Sequence, residues 1–210
     1  MSVPAFADDA LAQGWQQVWG RAPTAGERVY ALAIANLETG FGRTGQFGAL
    51  AAQGQYNWGA LERARSADGT CPAGTVPGSD AGNSRCFFVY PSDAAAAAAF
   101  VHTLTKTHWP GVVPAMNGGT PTDVANAMKQ APAYFEAPAS TYAAAIAGSL
   151  HSLGLAVPAA SSAGSGLGWL LVLGVAGGAA WYVHRHGVQG TEHAVARLWQ
   201  RTGAAARRLV

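Results

Sequence analysis

The stretch Ala31-Leu32-Ala33-Ile34-Ala35-Asn36-Leu37-Glu38-Thr39-Gly40-Phe41-Gly42-Arg43 decides how the chain is read. An almost wholly apolar helix runs into one carboxylate and stops at once on Thr39-Gly40. A helix carries partial negative charge at its C-terminal end, which disfavours an ionised Glu38 there. Apolar neighbours act the same way by desolvation. Both effects favour the protonated carboxyl that a general acid needs. The alternative is a helix-end glutamate that points to water.

Upstream, Thr24 and Glu27 stand three residues apart and predict a capping box for a helix over about Ala25 to Glu38. Its interior, Val29, Leu32, Ala33, Ile34 and Leu37, is apolar nearly all round, so it is expected to be the central core helix. A first helix, capped by Asp8 or Asp9 and ended by Gly20, places Leu11, Trp15, Val18 and Trp19 on one face.

Downstream, from Thr39 to about Tyr90, glycine is dense and long elements are not expected. Gln55-Tyr56-Asn57-Trp58-Gly59 forms an aromatic-glycine cluster, and Phe87-Phe88-Val89-Tyr90 reads as a short strand. Cys71 and Cys86 enclose a polar, turn-rich loop. Two cysteines alone do not make a tetrahedral metal site, and neither a metal nor a cofactor is expected. A bond between them would stabilise a lobe with little core and would fit an oxidising compartment. Further helices follow, from Ser92 or Asp93 to about Thr107, over Val112 to Asn117, from Thr120 through Met128, and from Tyr142 to about Leu153. The fold class is therefore α+β, mainly α, with a small disulfide-braced β-lobe.

The charge is uneven. Residues 1–165 carry a net charge of −2 and residues 166–210 one of +4, so the body is not a nucleic-acid binder by charge. Residues 1–153 are expected to form the main domain. Residues 154–165 read as a flexible Ala/Ser/Gly linker. Gly166 to Val183 holds 18 uncharged residues with Trp169 near one end and Trp181-Tyr182 at the other. As a helix it would reach about 27 Å, enough with its flanks to cross a bilayer. Residues 184–210 form a basic tail whose Arg185, Arg197, Arg201, Arg207 and Arg208 would meet anionic lipid. They place the C-terminus on the cytoplasmic side and residues 1–153 on the extracytoplasmic side. Met1 to Ala10 has neither a basic nor an apolar leader region, so a cleavable signal peptide is not expected.

Taken in order, these segments resemble the lysozyme-like superfamily that cleaves peptidoglycan. The nearest branches are the glycoside hydrolase family 73 glucosaminidases and the lytic transglycosylases. Leu37-Glu38-Thr39-Gly40-Phe41-Gly42 is similar to that family's Leu-Glu-Ser/Thr-Gly-Trp-Gly around the catalytic acid. Asn57-Trp58-Gly59-Ala60 resembles its Asn-Leu-Phe-Gly-Ile turn, and Phe88-Val89-Tyr90-Pro91-Ser92 its aromatic strand and Ser-capped helix. Tyr134 and Thr141-Tyr142-Ala143-Ala144-Ala145-Ile146 resemble its Tyr-Ala-Thr-Asp-Pro-x-Tyr-Ala-x-x-Ile, although Tyr134-Phe135-Glu136-Ala137-Pro138 departs from the Tyr-Ala-Thr-Asp-Pro part.

The resemblance covers roughly residues 8–153 and implies cleavage of the β-1,4 bonds between MurNAc and GlcNAc, with Glu38 as the acid. It implies Asn57, Trp58, Tyr56 and Tyr134 as substrate-binding residues. A second carboxylate would come from the β-lobe, where Asp68, Asp80 and Glu62 are the candidates. A hydrolase needs two carboxyls; a transglycosylase works with one. The implied partners are peptidoglycan glycan strands and a lipid bilayer, in a cell envelope or a phage virion. A wall-binding or structural membrane protein without activity is the alternative.

Overall fold

The computed structural model describes residues 2–80, 83–107, 111–130, 135 and 137–156, with the side chains of 80, 83 and 107 left aside. It is mainly helical: α1 (Ala5–Trp19), α2 (Ala25–Thr39), α3 (Gly45–Ala51), α4 (Asp93–His102), α5 (Val112–Gly118), α6 (Pro121–Lys129) and α7 (Ala139–Ser152). Between α3 and α4 lies one small antiparallel sheet of β1 (Glu62–Arg63), β2 (Thr75–Asp80) and β3 (Asn83–Phe88), in the order β1-β3-β2.

Helix α2 is the centre, as its pattern predicts. Tyr30 through Ala35 are all at 0% exposure. The capping box forms in full: Thr24 accepts from the Glu27 backbone N–H, and the Glu27 carboxylate accepts from Thr24 N. The other helices close on α2 through small residues and specific polar contacts. A Cβ on Gly26 would stand 2.1 Å from Met116 O, so only glycine lets α5 approach this closely. Ser149 Oγ on α7 donates to Ala33 O at 2.7 Å and accepts from Asn36 Nδ2 at 2.9 Å. Those bonds fix the α2–α7 register beside Glu38.

The six-alanine run in α4 has a packing cause. Gly14 of α1 lies against it so closely that a Cβ there would stand 2.7 Å from Ala98 N. Ala96, Ala97 and Ala98 are buried beneath it. Larger side chains would hold the two backbones apart.

Several boundaries differ from the sequence pattern. Helix α1 begins at Ala5 behind Pro4, upstream of the expected Asp8 or Asp9 cap. Asp8 instead pairs with Arg28 on α2. Helix α4 ends at His102 and passes into a π-helical turn, Thr103–Thr107. Thr105 causes a local competition: its buried hydroxyl donates to Val101 O at 2.7 Å and accepts from Trp19 Nε1 at 2.9 Å. Helix α7 starts at Ala139 behind Pro138, so neither Ser140 nor Thr141 caps it. It closes at Gly154, where Leu155 N donates back to Leu150 O at 2.9 Å and the Leu155 side chain packs on the core. The first residues of the expected linker thus belong to the folded body.

The β-lobe has a thin core. Phe47 of α3 meets Phe87 edge to face at 5.2 Å, and Cys71 is bonded to Cys86. Gln46 of α3 acts as a false strand: its amide donates to Ser79 O at 3.1 Å and accepts from Ser79 N at 3.3 Å, covering the edge of β2. The bonded cysteines are 15 residues apart. Closing such a loop contributes about 3 kcal/mol in the chain-entropy model. Reducing the bond, or replacing both cysteines with serine, is expected to lower the melting temperature by roughly 6–12 °C, read by thermal melts with and without reductant.

Among the described residues no helix is long and apolar enough to cross a membrane. The expected span 166–183 and basic tail 184–210 lie outside the described residues.

Candidate active site

Glu38 is the penultimate residue of α2 and is half-buried. The helix stops beside it in three successive left-handed residues, Gly40 (φ 56°), Phe41 (φ 57°) and Gly42 (φ 72°). Phe41 is a bulky residue in a conformation that costs about 1–3 kcal/mol unless its surroundings impose it. They do. Its ring is held edge-on between Trp58 at 5.6 Å and Phe6 at 6.4 Å and is buried. Thr39, fully buried, donates through Oγ1 to Trp58 O at 2.7 Å and accepts from Gly42 N at 2.8 Å. The turn after the acid is therefore nailed to the Asn57-Trp58 segment. Gly42 allows it, since a Cβ there would press on Asn57 O at 3.1 Å.

Asn57 and Trp58 do not stand as sugar contacts. Both are at 0% exposure. The Asn57 amide donates to Leu61 O at 2.8 Å and Phe88 O at 2.9 Å, and its carbonyl accepts from Leu61 N at 2.9 Å. These three bonds add to the backbone bond from Phe88 N to Leu61 O at 3.0 Å where the loop meets the sheet, so the side chain shapes the turn from inside. Trp58 fills the space under Phe41 and donates Nε1–H to Asp93 Oδ1 at 3.0 Å. Their contribution to the site is to hold the turn behind Glu38.

Tyr56 is half-buried, pairs through its backbone with Tyr90 and lies with its ring 4.9 Å from the Arg43 guanidinium. Arg43 also covers the Phe6 ring at 4.7 Å and pairs with Asp93 Oδ2 at 2.7 Å. Phe6 is 38% exposed, so this edge of the molecule presents an aromatic surface braced by one cation. Asp93 caps nothing alone; Ser92 Oγ accepts from Ala95 N as the helix cap, which leaves Asp93 to tie Trp58 and Arg43 together.

One partner of the Glu38 carboxyl comes from α7. The Tyr142 hydroxyl donates to Glu38 Oε1. Tyr142 is 4% exposed, and its ring stacks face to face on Phe135 at 3.9 Å with 9° between planes. Lys129 Nζ donates to Phe135 O at 2.8 Å.

Two of the candidates for a second carboxylate, Glu62 and Asp68, have partners elsewhere. Glu62 sits on the edge strand β1 and pairs with Arg85 at 3.5 Å. Asp68 is exposed and caps its own turn, accepting from Thr70 Oγ1 at 2.7 Å and Thr70 N at 2.9 Å. Those bonds from the Thr70 hydroxyl and backbone hold its carboxyl below the ordinary value. Asp80 closes the β2–β3 ladder opposite Asn83 through its backbone, and its side chain is outside the description. Tyr134 also lies outside the described residues.

The sequence places Tyr142 in a family-like motif and Asp93 at a helix start, and gives neither a role in the site. The available signal for Tyr142 is its position one turn into a helix whose buried face continues with Ala143, Ile146, Ser149 and Leu150, where a buried phenol hydroxyl needs a partner. Against known protein families, curated proteins and solved structures, the chain finds no match.

Proposed function

We propose that this chain cleaves the glycan strands of peptidoglycan on a lysozyme-like fold, with Glu38 as general acid. One observation carries the reading: a half-buried carboxyl is delivered to the end of a helix whose middle, Tyr30 to Ala35, is fully buried, and it accepts there from the hydroxyl of a buried tyrosine. A glutamate kept only for solubility has no need of either. The strained turn at Phe41 and the disulfide-braced lobe that follows agree with a groove wall built for rigidity.

Of its two forms, the transglycosylase is favoured, because Glu62 and Asp68 are committed to Arg85 and to Thr70. Glu38 gives its proton to the glycosidic oxygen as the C1–O4 bond breaks. The leaving sugar departs with a free 4-hydroxyl. The oxocarbenium-like centre is then attacked at C1 by the same sugar's C6 hydroxyl, whose proton returns to the Glu38 carboxylate. Atoms balance with no water consumed, and one carboxyl serves both half-reactions. The glucosaminidase form would instead use water and a second carboxylate. The span over 166–183 would anchor this domain on the outer side of a cell or virion membrane, with the basic tail on anionic lipid.

The test is digestion of murein by the full chain in detergent, with mass spectrometry of the new sugar ends. A 1,6-anhydro end is expected. A reducing GlcNAc end would replace the transglycosylase with the glucosaminidase, and a lack of turnover across murein types would overturn the assignment.

A further inference from the structure

Resting on the reading of Glu38 as the acid, we propose that its working orientation is set by a clamp of Tyr142, Phe135 and Lys129, the last two acting only through Tyr142. A glutamate has three rotatable bonds and, at a helix end, would spread over several rotamers. Here one oxygen is pinned. The Tyr142 O–H donates to Oε1, so in the protonated acid the transferable proton sits on Oε2. The carboxyl plane is thereby fixed by a donor from a different helix.

Tyr142 is held in turn. A tyrosine ring has two torsions, and the parallel Phe135 face at 3.9 Å restrains both. Phe135 itself lies outside the helices, so its position needs a separate anchor. Lys129, at the last position of α6, supplies it twice: Nζ bonds to Phe135 O at 2.8 Å and lies 5.0 Å from the ring centroid. Each link contacts the next, and α6, α7 and α2 converge on a single carboxyl. In a site where Glu38 is both acid and base, the group that orients it is a neutral hydroxyl. A neutral donor serves both protonation states of Glu38 without charge repulsion, whereas a nearby anion would oppose the ionised one.

The clamp makes a prediction that simple packing does not. Tyr142→Phe keeps the ring on Phe135 and removes only the hydroxyl. It is expected to lower kcat on murein about 10- to 100-fold with KM unchanged, since a misplaced acid loses rate and not glycan affinity. Phe135→Leu, which keeps apolar volume but loses the flat face, is expected to lower kcat less. The double variant is expected to be no slower than Tyr142→Phe alone, because Phe135 has nothing left to orient. Lys129→Met should resemble Phe135→Leu. Thermal melts and murein co-sedimentation of each full-length variant confirm that fold and binding persist. Wild-type kcat in Tyr142→Phe, or losses that multiply in the double variant, would overturn the clamp while leaving Glu38 as the acid. Full activity in Glu38→Gln would overturn both.

Discussion

Glu38→Gln is expected to reduce murein cleavage about 1,000-fold or more while the protein melts at the same temperature or slightly higher. The amide is isosteric and keeps an acceptor oxygen for the Tyr142 hydroxyl, so the α2–α7 contact survives. What it lacks is an acidic proton. Proton transfer by a positioned carboxyl accounts for roughly 10²- to 10⁴-fold, and here one group carries it in both half-reactions. The stability sign follows from the helix. A negative charge at a helix C-terminus is unfavourable by about 0.3–1 kcal/mol, and glutamine removes it. The end of α2 does not depend on the Glu38 side chain: Gly40 N donates to Asn36 O at 2.9 Å and Phe41 N to Ala35 O at 3.2 Å. A residue whose loss stabilises the fold and abolishes turnover is retained for chemistry. Undiminished product release by Glu38→Gln, measured on purified murein beside a melting curve, would remove Glu38 from the mechanism.

The frame of this site was readable from the chain because its signals are local. The Thr24–Glu27 spacing marked the start of α2, and an apolar run without a polar face marked it as central. The paired cysteines and dense glycines marked an irregular lobe. What failed to show was tertiary. Tyr142 reaches Glu38 across 104 residues, and no periodicity records that meeting. Asn57 and Trp58 enter as groove residues only through the resemblance of their turn to a family motif, which carries no record of burial. Their environment turns them inward: Leu61 O, Leu61 N and Phe88 O bond to the Asn57 amide, and Phe41 and Asp93 hold the indole. The strand expected over Phe87–Tyr90 begins upstream at Asn83, because pairing with β2 selects the register and draws polar Asn83, Ser84 and Arg85 into the ladder.

Glu27→Ala is expected to be the costliest point change outside the core, at about 3–5 kcal/mol, or roughly 6–20 °C in melting temperature. Its side chain is wholly buried. Four donors converge on its carboxylate: Arg21 Nη1 and Nη2 at 2.7 Å each, Thr24 N at 2.7 Å and Asn117 Nδ2 at 3.1 Å. Burial by itself would push this carboxyl up. The Arg21, Thr24 and Asn117 hydrogen bonds and the Arg21 charge together outweigh it, and the carboxyl ends below its ordinary 4.5. Removing the side chain strands those donors and detaches α2 from α5 at the helix start. The surface pair of Arg28 and Asp8, with side chains 36% and 39% exposed, offers the contrast. Asp8→Ala should cost under about 1 kcal/mol, because exposed pairs are screened. The pH dependence has a definite sign. A carboxyl with a lowered folded value contributes stability above its unfolded value near 4.5 and loses it as pH falls through the folded one. Thus the gap between wild type and Glu27→Gln should be full at neutral pH and shrink on acidification below about 4.5. A double-mutant cycle with Arg21→Ala should give a coupling of about 0.5–3 kcal/mol. Denaturant titrations at neutral and acid pH measure both quantities; a pH-independent gap, or additive losses, would show that the buried carboxylate network does not anchor the helix that carries Glu38.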